Sequence, residues 1–484
     1  MPLSLFGLLE QRAQVSPHAE GFVDERYRLT FSGMIHKVDQ LSQLLHRQGI
    51  KQGDHVAICC RNSVGMAALL FALARVGAVG VLINWRLSPH EIGFVLEDSE
   101  AKWAIFDSAF QSTFDFVRVP PQGVRTLERL LDEADFGPAF VQGSLPVINA
   151  DNESAALIMY TSGTTGKPKG AVLSHRNLYW TAQSNLLTAG WVPEDRFLMI
   201  APMFHIGGFA AFVTNVLVGC ASIFMPDFAP DTVWQTVKRE RITSMMSVPA
   251  MLMVLLKHAL SNDVDFSTIR GITCGASAVP AQLIERYRSL GIPVRQVYGA
   301  TETGGAVTFW APGSEIGAPG SQGRPVFYSE MRIVDPQTKA DAPNGAPGEV
   351  WCRSPMVFKG YWKNGDATRE VLHDGWYRTG DIGEVREDGA LYIVDRLKDM
   401  IISGGENIYP AEIEAVIAQM PGVAEVAVVG RSDPQWGETP IAYVAVTPGV
   451  TLSKEQIVGH CKDRLGAFKC VKEGGRTISW TTWR

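Results

Sequence analysis

The sequence has no Cys-x-x-Cys pair, and its seven cysteines, Cys59, Cys60, Cys220, Cys274, Cys352, Cys461 and Cys470, are odd in number. A disulfide framework or a zinc site is therefore not expected; buried thiols in a reducing cytosol are. There is no basic excess either. The formal net charge is −6, which argues against a nucleic-acid partner. No run of like charges marks an acidic or basic tail. The opening residues, MPLSLFGLLEQRAQ, lack a basic segment and soon turn polar, so no secretory signal is read. Long unbroken apolar runs are missing as well. Residues 64–83 contain Arg75 and several glycines, and residues 207–225 contain Thr214 and Asn215. Each divides into a buried helix, a glycine turn and a buried strand, so no transmembrane segment is expected and the chain reads as cytoplasmic.

What is present is a globular composition, with 484 residues of which 46% are apolar and 19% charged. That length exceeds one ordinary core and implies two or more domains. The 47 glycines and 27 prolines are spread along the chain and signal many turns. Residues 54–60 read as a strand, 64–76 as a helix and 78–83 as a strand. Further short apolar strands fall at 196–200, 221–225 and 242–247. Strands alternating with helices imply right-handed βαβ units and a mostly parallel sheet. After about residue 320, strands at 330–334, 348–352, 383–385 and 391–394 are joined by turns such as Pro343-Asn-Gly, and a β-rich subdomain is expected. Beyond Asp395-Arg-Leu-Lys-Asp lies an α+β pattern: helix 410–419, strands 423–430 and 441–447, helix 454–465. The expected fold is α/β, a large N-terminal domain of βαβ-built sheets plus a β-rich subdomain, followed by a small mobile α+β C-terminal domain.

The most specific string is Tyr160-Thr-Ser-Gly-Thr-Thr-Gly-Lys-Pro-Lys-Gly170, which leaves the apolar strand 155–159. Glycine backbone N–H groups, hydroxyls and two lysines together make a cradle for polyphosphate. The spacing is not that of a Walker A loop: only two residues separate Gly163 from Gly166, and Pro168 follows Lys167. Downstream come Pro202-Met-Phe-His-Ile-Gly-Gly208, Gly275-Ala-Ser277, Tyr298-Gly-Ala-Thr-Glu-Thr303, Tyr377-Arg-Thr-Gly-Asp381, Asp395-Arg-Leu-Lys-Asp399 and Ser403-Gly-Gly-Glu-Asn-Ile-Tyr-Pro410. Alone, several of these are ordinary: Gly275–Ser277 a turn, Asp381 and Arg396 surface ion-pair residues, His205 a satisfied core histidine, Trp436 simple packing.

In this order the strings resemble the adenylate-forming superfamily of acyl-CoA synthetases, peptide-synthetase adenylation domains and firefly-type luciferases, from the N-terminus to about residue 470. The resemblance implies an AMP-binding domain over 1–394, a hinge over 395–398 centred on Lys398, and a C-terminal domain over 399–484. It implies that Thr161, Ser162, Gly163, Thr164, Thr165, Gly166, Lys167 and Lys169 serve ATP. Gly275, Ala276 and Ser277 would border adenine, with Tyr298 and Gly299 beside it. Thr301 would meet the α-phosphate and Glu302 would hold Mg²⁺. Asp381 would accept the ribose hydroxyls, with Arg396 near ribose and phosphate. His205 would sit by the acyl and adenylate sites, and Gly404, Gly405 and Trp436 along the CoA tunnel. Thr161, Lys169, His205 and Glu302 are the implied catalytic set; ATP, Mg²⁺ and CoA are the implied cofactors. An apolar acyl pocket is expected near His205, Val248, Pro249, Met251, Cys274 and Ala300, which favours a fatty acid over an aryl acid. The implied activity joins a carboxylic acid to CoA through an acyl-adenylate. Loading of a carrier protein, or an inactive nucleotide- or acyl-binding paralogue, are the alternatives; a homo-oligomer is compatible.

One region departs from the family. The match holds through Ala467-Phe-Lys-Cys-Val-Lys-Glu473 and then reads Gly-Gly-Arg-Thr-Ile-Ser-Trp-Thr-Thr-Trp-Arg484, with no apolar strand and no Pro-rich loop ending in Gly-Lys. A truncation or frameshift after about 473 is the expectation, with adenylation impaired by loss of that loop's lysine and no residue assigned in its place.

Overall fold

The computed structural model describes residues 4–117, 122–136, 145, 152–161, 168–262, 264–311, 320–403, 406–433, 437–462, 464–465 and 477–479. The chain forms two compact units: residues 1–331 with 352–377, and residues 332–351 with 378–484.

The first unit is built on two sheets. One has the strand order Arg324–Pro325, Gly305–Phe309, Val294–Ala300, Gly271–Cys274, Ser244–Ser247, Arg196–Met199, Ala221–Phe224, Glu20–Val23, Arg28–Thr30. Its centre is parallel, from Val294–Ala300 through to Glu20–Val23. The other runs Gly360–Tyr361, Lys169–Ser174, Ala155–Thr161, Val79–Leu82, His55–Cys59, Trp103–Phe106, Gly123–Thr126. From Ala155–Thr161 to Gly123–Thr126 it too is parallel.

The two suspiciously apolar stretches are core helices. Val64–Val76 starts where the Ser63 hydroxyl accepts the Met66 N–H and stops at Gly77, whose φ of +73° an L side chain tolerates poorly. All its residues but Arg75 are buried, and Arg75 is paired with Asp39. A helix apolar all round is one enclosed by protein. Ile206–Val218 ends similarly at Gly219, with φ +88°. Both pack into one cluster with Phe22, Phe31, Phe71, Phe197 and Phe212. Each such fully enclosed side chain contributes about 1.5–3 kcal/mol of hydrophobic stabilisation. Among the described residues, no helix is long and apolar enough to cross a membrane. The six described cysteines are free and buried, and burial pushes the thiols of Cys59, Cys274 and Cys352 up to about 12.

His175 opens the helix His175–Ala189 behind a Ser174–Asn177 capping box. Its Nδ1 accepts the Leu5 N–H at 3.4 Å. Burial holds its pKa down at about 4. The unfolded chain therefore takes up a proton between about pH 6.5 and 4 that the folded chain refuses, and the stability from keeping His175 neutral is lost as pH falls through that window. Urea unfolding between about pH 6 and 4.5 is expected to show a slope approaching about 1.4 kcal/mol per pH unit from this group, and His175→Gln should remove it. An unchanged slope would show that His175 is not the group responsible.

In the second unit, Glu406–Ile408, Ile401–Ser403, Gly437–Val446 and Val423–Asp433 form a sheet in that order. Helices Pro410–Ile417 and Lys454–Lys462 cover it through Ile413, Ile417, Ile457 and Cys461, which pack with Ile401, Ile408, Val428 and Val444. Thr477–Ser479 pairs parallel with Val444, Ala445 and Val446. Main-chain pairing needs no apolar run, and Thr477 and Ile478 are β-branched residues suited to it.

Candidate functional site

The strand Ala155–Thr161 is buried through Ala156, Leu157, Ile158 and Met159 and surfaces at Tyr160 and Thr161. The chain returns at once as Lys169–Ser174, antiparallel, with Thr161 opposite Lys169. Ala155–Thr161 and Lys169–Ser174 thus form a β-hairpin. Ser162, Gly163, Thr164, Thr165, Gly166 and Lys167 lie outside the described residues, as do Gly404, Gly405 and Trp436.

In the parallel sheet, candidate residues gather where strands end. Ser247, Cys274 and Gln296 lie side by side on neighbouring strands, the first two at the carboxyl ends of theirs. Val248 and Gly275-Ala276-Ser277 follow their strands directly, Tyr298, Gly299 and Ala300 close the strand Val294–Ala300 with Thr301–Thr303 beyond it, and His205 comes after Arg196–Met199. Ligands of open parallel sheets bind beyond these ends. Cys274 is itself fully enclosed, whereas Val248 and Ala300 are half-buried. Ala276 holds a left-handed φ of +70°, a conformation that non-glycine residues keep only where surroundings enforce it. An added Cβ at Gly275 would meet the Val297 carbonyl oxygen at 2.8 Å, so that loop lies flat on the next strand. His205 caps Ile206–Val218, and its ring lies 4.6 Å from that of Phe204. Loss of surrounding water, with the charge of Arg86, lowers its pKa, which keeps the imidazole neutral near pH 7.

Glu302 joins the two regions. Its side chain is buried at 7% exposure, yet among the described residues its partners are hydroxyls rather than cations. Thr161 donates to Oε1 at 3.2 Å and Tyr361 donates to the same oxygen at 2.9 Å. The Phe358 N–H binds the Glu302 carbonyl at 2.8 Å. Thr303 braces the turn, accepting from Ala300 N–H at 2.8 Å and donating to Gly305 O at 2.6 Å. Among the described residues, no cluster of three or more His, Cys, Asp or Glu side chains is gathered to hold a metal ion. One carboxylate fits magnesium all the same, because this ion keeps its waters and binds one or two carboxylates plus substrate phosphates.

Tyr361 was not singled out by sequence. The one sign is Gly360 standing before two aromatic residues. Lys169 Nζ lies 5.2 Å from the Tyr361 ring centroid.

Asp381 and Arg396 belong to the second unit and face each other across paired strands, Arg396 Nε standing 3.5 Å from Asp381 Oδ1. The Thr379 hydroxyl accepts the Asp381 N–H at 3.0 Å and donates to Val350 O at 2.7 Å, fixing the strand at that point. Lys398 is exposed in the turn after Leu391–Arg396.

Residues 9–362 match the AMP-binding enzyme family and residues 412–474 the AMP-binding enzyme C-terminal domain. The chain is 36% identical to the long-chain-fatty-acid–CoA ligase FadD13 of Mycobacterium tuberculosis, with 96% of this chain and 93% of that protein covered. It is equally 36% identical to the 2-succinylbenzoate–CoA ligase of Bacillus cytotoxicus, covering 96% and 93%. Among solved structures it is similar to the o-succinylbenzoate CoA synthetase of Bacillus subtilis in complex with its acyl-adenylate intermediate. That match has a TM-score of 0.86 at 32% identity and covers 97% of this chain and 94% of the other. The same enzyme in complex with ATP and magnesium ion matches with a TM-score of 0.85 at 32% identity, covering 97% and 95%.

Proposed function

The chain belongs to the AMP-binding enzyme family, and on that premise we propose that the acid it activates is a fatty acid. It is an ATP-dependent adenylate-forming ligase of the acyl-CoA synthetase type. The substrate carboxylate attacks the α-phosphorus of ATP, giving acyl-AMP and releasing pyrophosphate. The CoA thiol then adds at the acyl carbonyl, the thiol proton departs, and AMP leaves as the thioester forms.

The observation that carries the assignment of residues is the Thr161–Glu302 hydrogen bond, which brings the glycine-rich hairpin and the Tyr298–Thr303 turn together. Glu302 would hold magnesium, whose positive charge would offset the repulsion between two anionic reactants. Thr161, Lys169 and the 162–167 loop hold phosphate. Tyr298, Gly299 and Gly275-Ala276-Ser277 border adenine, and Thr301 meets the α-phosphate. Asp381 accepts the ribose hydroxyls beside Arg396. Lys398 is the hinge, and Gly404, Gly405 and Trp436 serve CoA. The acyl group lies by His205, Val248, Cys274 and Ala300, and the mostly apolar character of these neighbours supports a hydrocarbon chain. A second reading, an aryl acid, is favoured by the equal identity to the succinylbenzoate ligase.

ATP–pyrophosphate exchange with a panel of fatty and aryl acids tests both. Exchange with long-chain acids is expected; exchange with aryl acids alone would overturn the fatty-acid reading. No exchange from a folded protein that binds ATP would favour a binding paralogue. We further propose that in the 484-residue polypeptide adenylation is slower than thioester formation, since the sequence departs from the family after Glu473. Preformed acyl-AMP with CoA supplies the comparison, and equal rates would refute it. Transfer to a carrier-protein pantetheine in preference to CoA would replace CoA as acceptor.

A further inference from the structure

We propose that Tyr361 is a positioning residue that turns the Glu302 carboxylate toward its cation. The inference rests on Glu302 being the magnesium ligand. Among the described residues, Thr161 and Tyr361 both donate to Oε1, and neither bond falls on Oε2. A carboxylate held by one oxygen keeps the lone pairs of the other for a metal, and ligating carboxylates are oriented by such outer partners.

Tyr361 is itself placed by both halves of the site. Gly360 and Tyr361 pair antiparallel with Val172 and Ala171, on the strand that returns from the glycine-rich loop. Lys359 N–H binds Val172 O at 2.9 Å and Trp362 N–H binds Gly170 O at 2.7 Å. On the other side, Phe358 N–H holds the Glu302 carbonyl. The short segment 358–362 therefore clips the Glu302 turn to the phosphate hairpin, with the Tyr361 hydroxyl at the junction. Rings of Phe358 and Tyr361 meet edge-on at 4.9 Å, which limits swing of the phenol.

The test is Mn²⁺ binding to the full chain with ATP, read by electron paramagnetic resonance, beside thermal unfolding. Tyr361→Phe keeps the ring and is expected to weaken Mn²⁺ about tenfold, the scale of one hydrogen bond to a charged group. Mn²⁺ affinity within twofold of the unsubstituted chain for folded Tyr361→Phe would overturn the proposal. A purely structural role would lower the unfolding temperature without moving the Mn²⁺ titration. Glu302→Gln separates the two layers. If it weakens Mn²⁺ and Tyr361→Phe does not, only the Tyr361 inference fails; if it too leaves Mn²⁺ unmoved, the Glu302 reading fails and takes the inference with it.

Discussion

Replacing Glu302 with glutamine is expected to lower ATP–pyrophosphate exchange by about a hundredfold or more while leaving the fold intact. Glutamine has nearly the shape of glutamate. Its amide oxygen can still accept from Thr161 and Tyr361, and the bond from Phe358 N–H to the residue 302 carbonyl does not depend on the side chain. What disappears is the negative charge. A buried carboxylate is costly unless something compensates it, and hydroxyl donors compensate it only in part. Magnesium held by Glu302 would supply the missing positive charge, so the substitution should relieve a strain in the free protein and remove the ion's anchor. Thermal stability is therefore expected to hold or rise as activity falls. Exchange within threefold of the unsubstituted chain would remove Glu302 from the metal site.

How much of this was legible beforehand depended on how local the cause was. The helix Val64–Val76 could be read because its start and stop, Ser63 and Gly77, adjoin an apolar segment in sequence. The phosphate string could be read because its chemistry demands hydroxyls, glycines and lysines in one stretch. Its hairpin form was less plain, since Lys169–Ser174 contains no strong turn signal of its own and becomes a strand by pairing with Ala155–Thr161. Tyr361 escaped altogether. It lies in a two-residue strand that exists only by pairing with Val172 and Ala171, far away in sequence, and no periodicity survives in two residues. The same holds for Thr477–Ser479, a strand defined by its neighbour at Val444–Val446. Val248, Gly275 and Tyr298 read as unrelated fragments, and it is the parallel order of their strands that places them side by side.

Gly299→Ala should be nearly as damaging as loss of Glu302, for a different reason. Gly299 pairs with Ala306 just past a register shift at Tyr298. A Cβ added there would lie 1.8 Å from the Gly305 carbonyl oxygen, which is backbone and cannot swing away. That same oxygen accepts the Thr303 hydroxyl at 2.6 Å, so moving it also loosens the brace of the turn. Gly304 offers no slack: its φ is +68°, and it lies against the Met356 carbonyl, 2.5 Å from where a Cβ would stand. The strands must part, carrying Tyr298 and Glu302 with them. Overpacking of this kind costs about 1–3 kcal/mol of stability, and displacement of catalytic groups by about 1 Å costs on the order of a hundredfold in rate. Gly93→Ala is the control. It sits within the helix Pro89–Asp98 with nothing within 4 Å of a new Cβ, and should stabilise slightly through helix propensity. Thermal unfolding and pyrophosphate exchange on both variants read the two effects. If Gly299→Ala keeps full activity, the close approach of Gly299 to Gly305 is not what sets the position of Glu302.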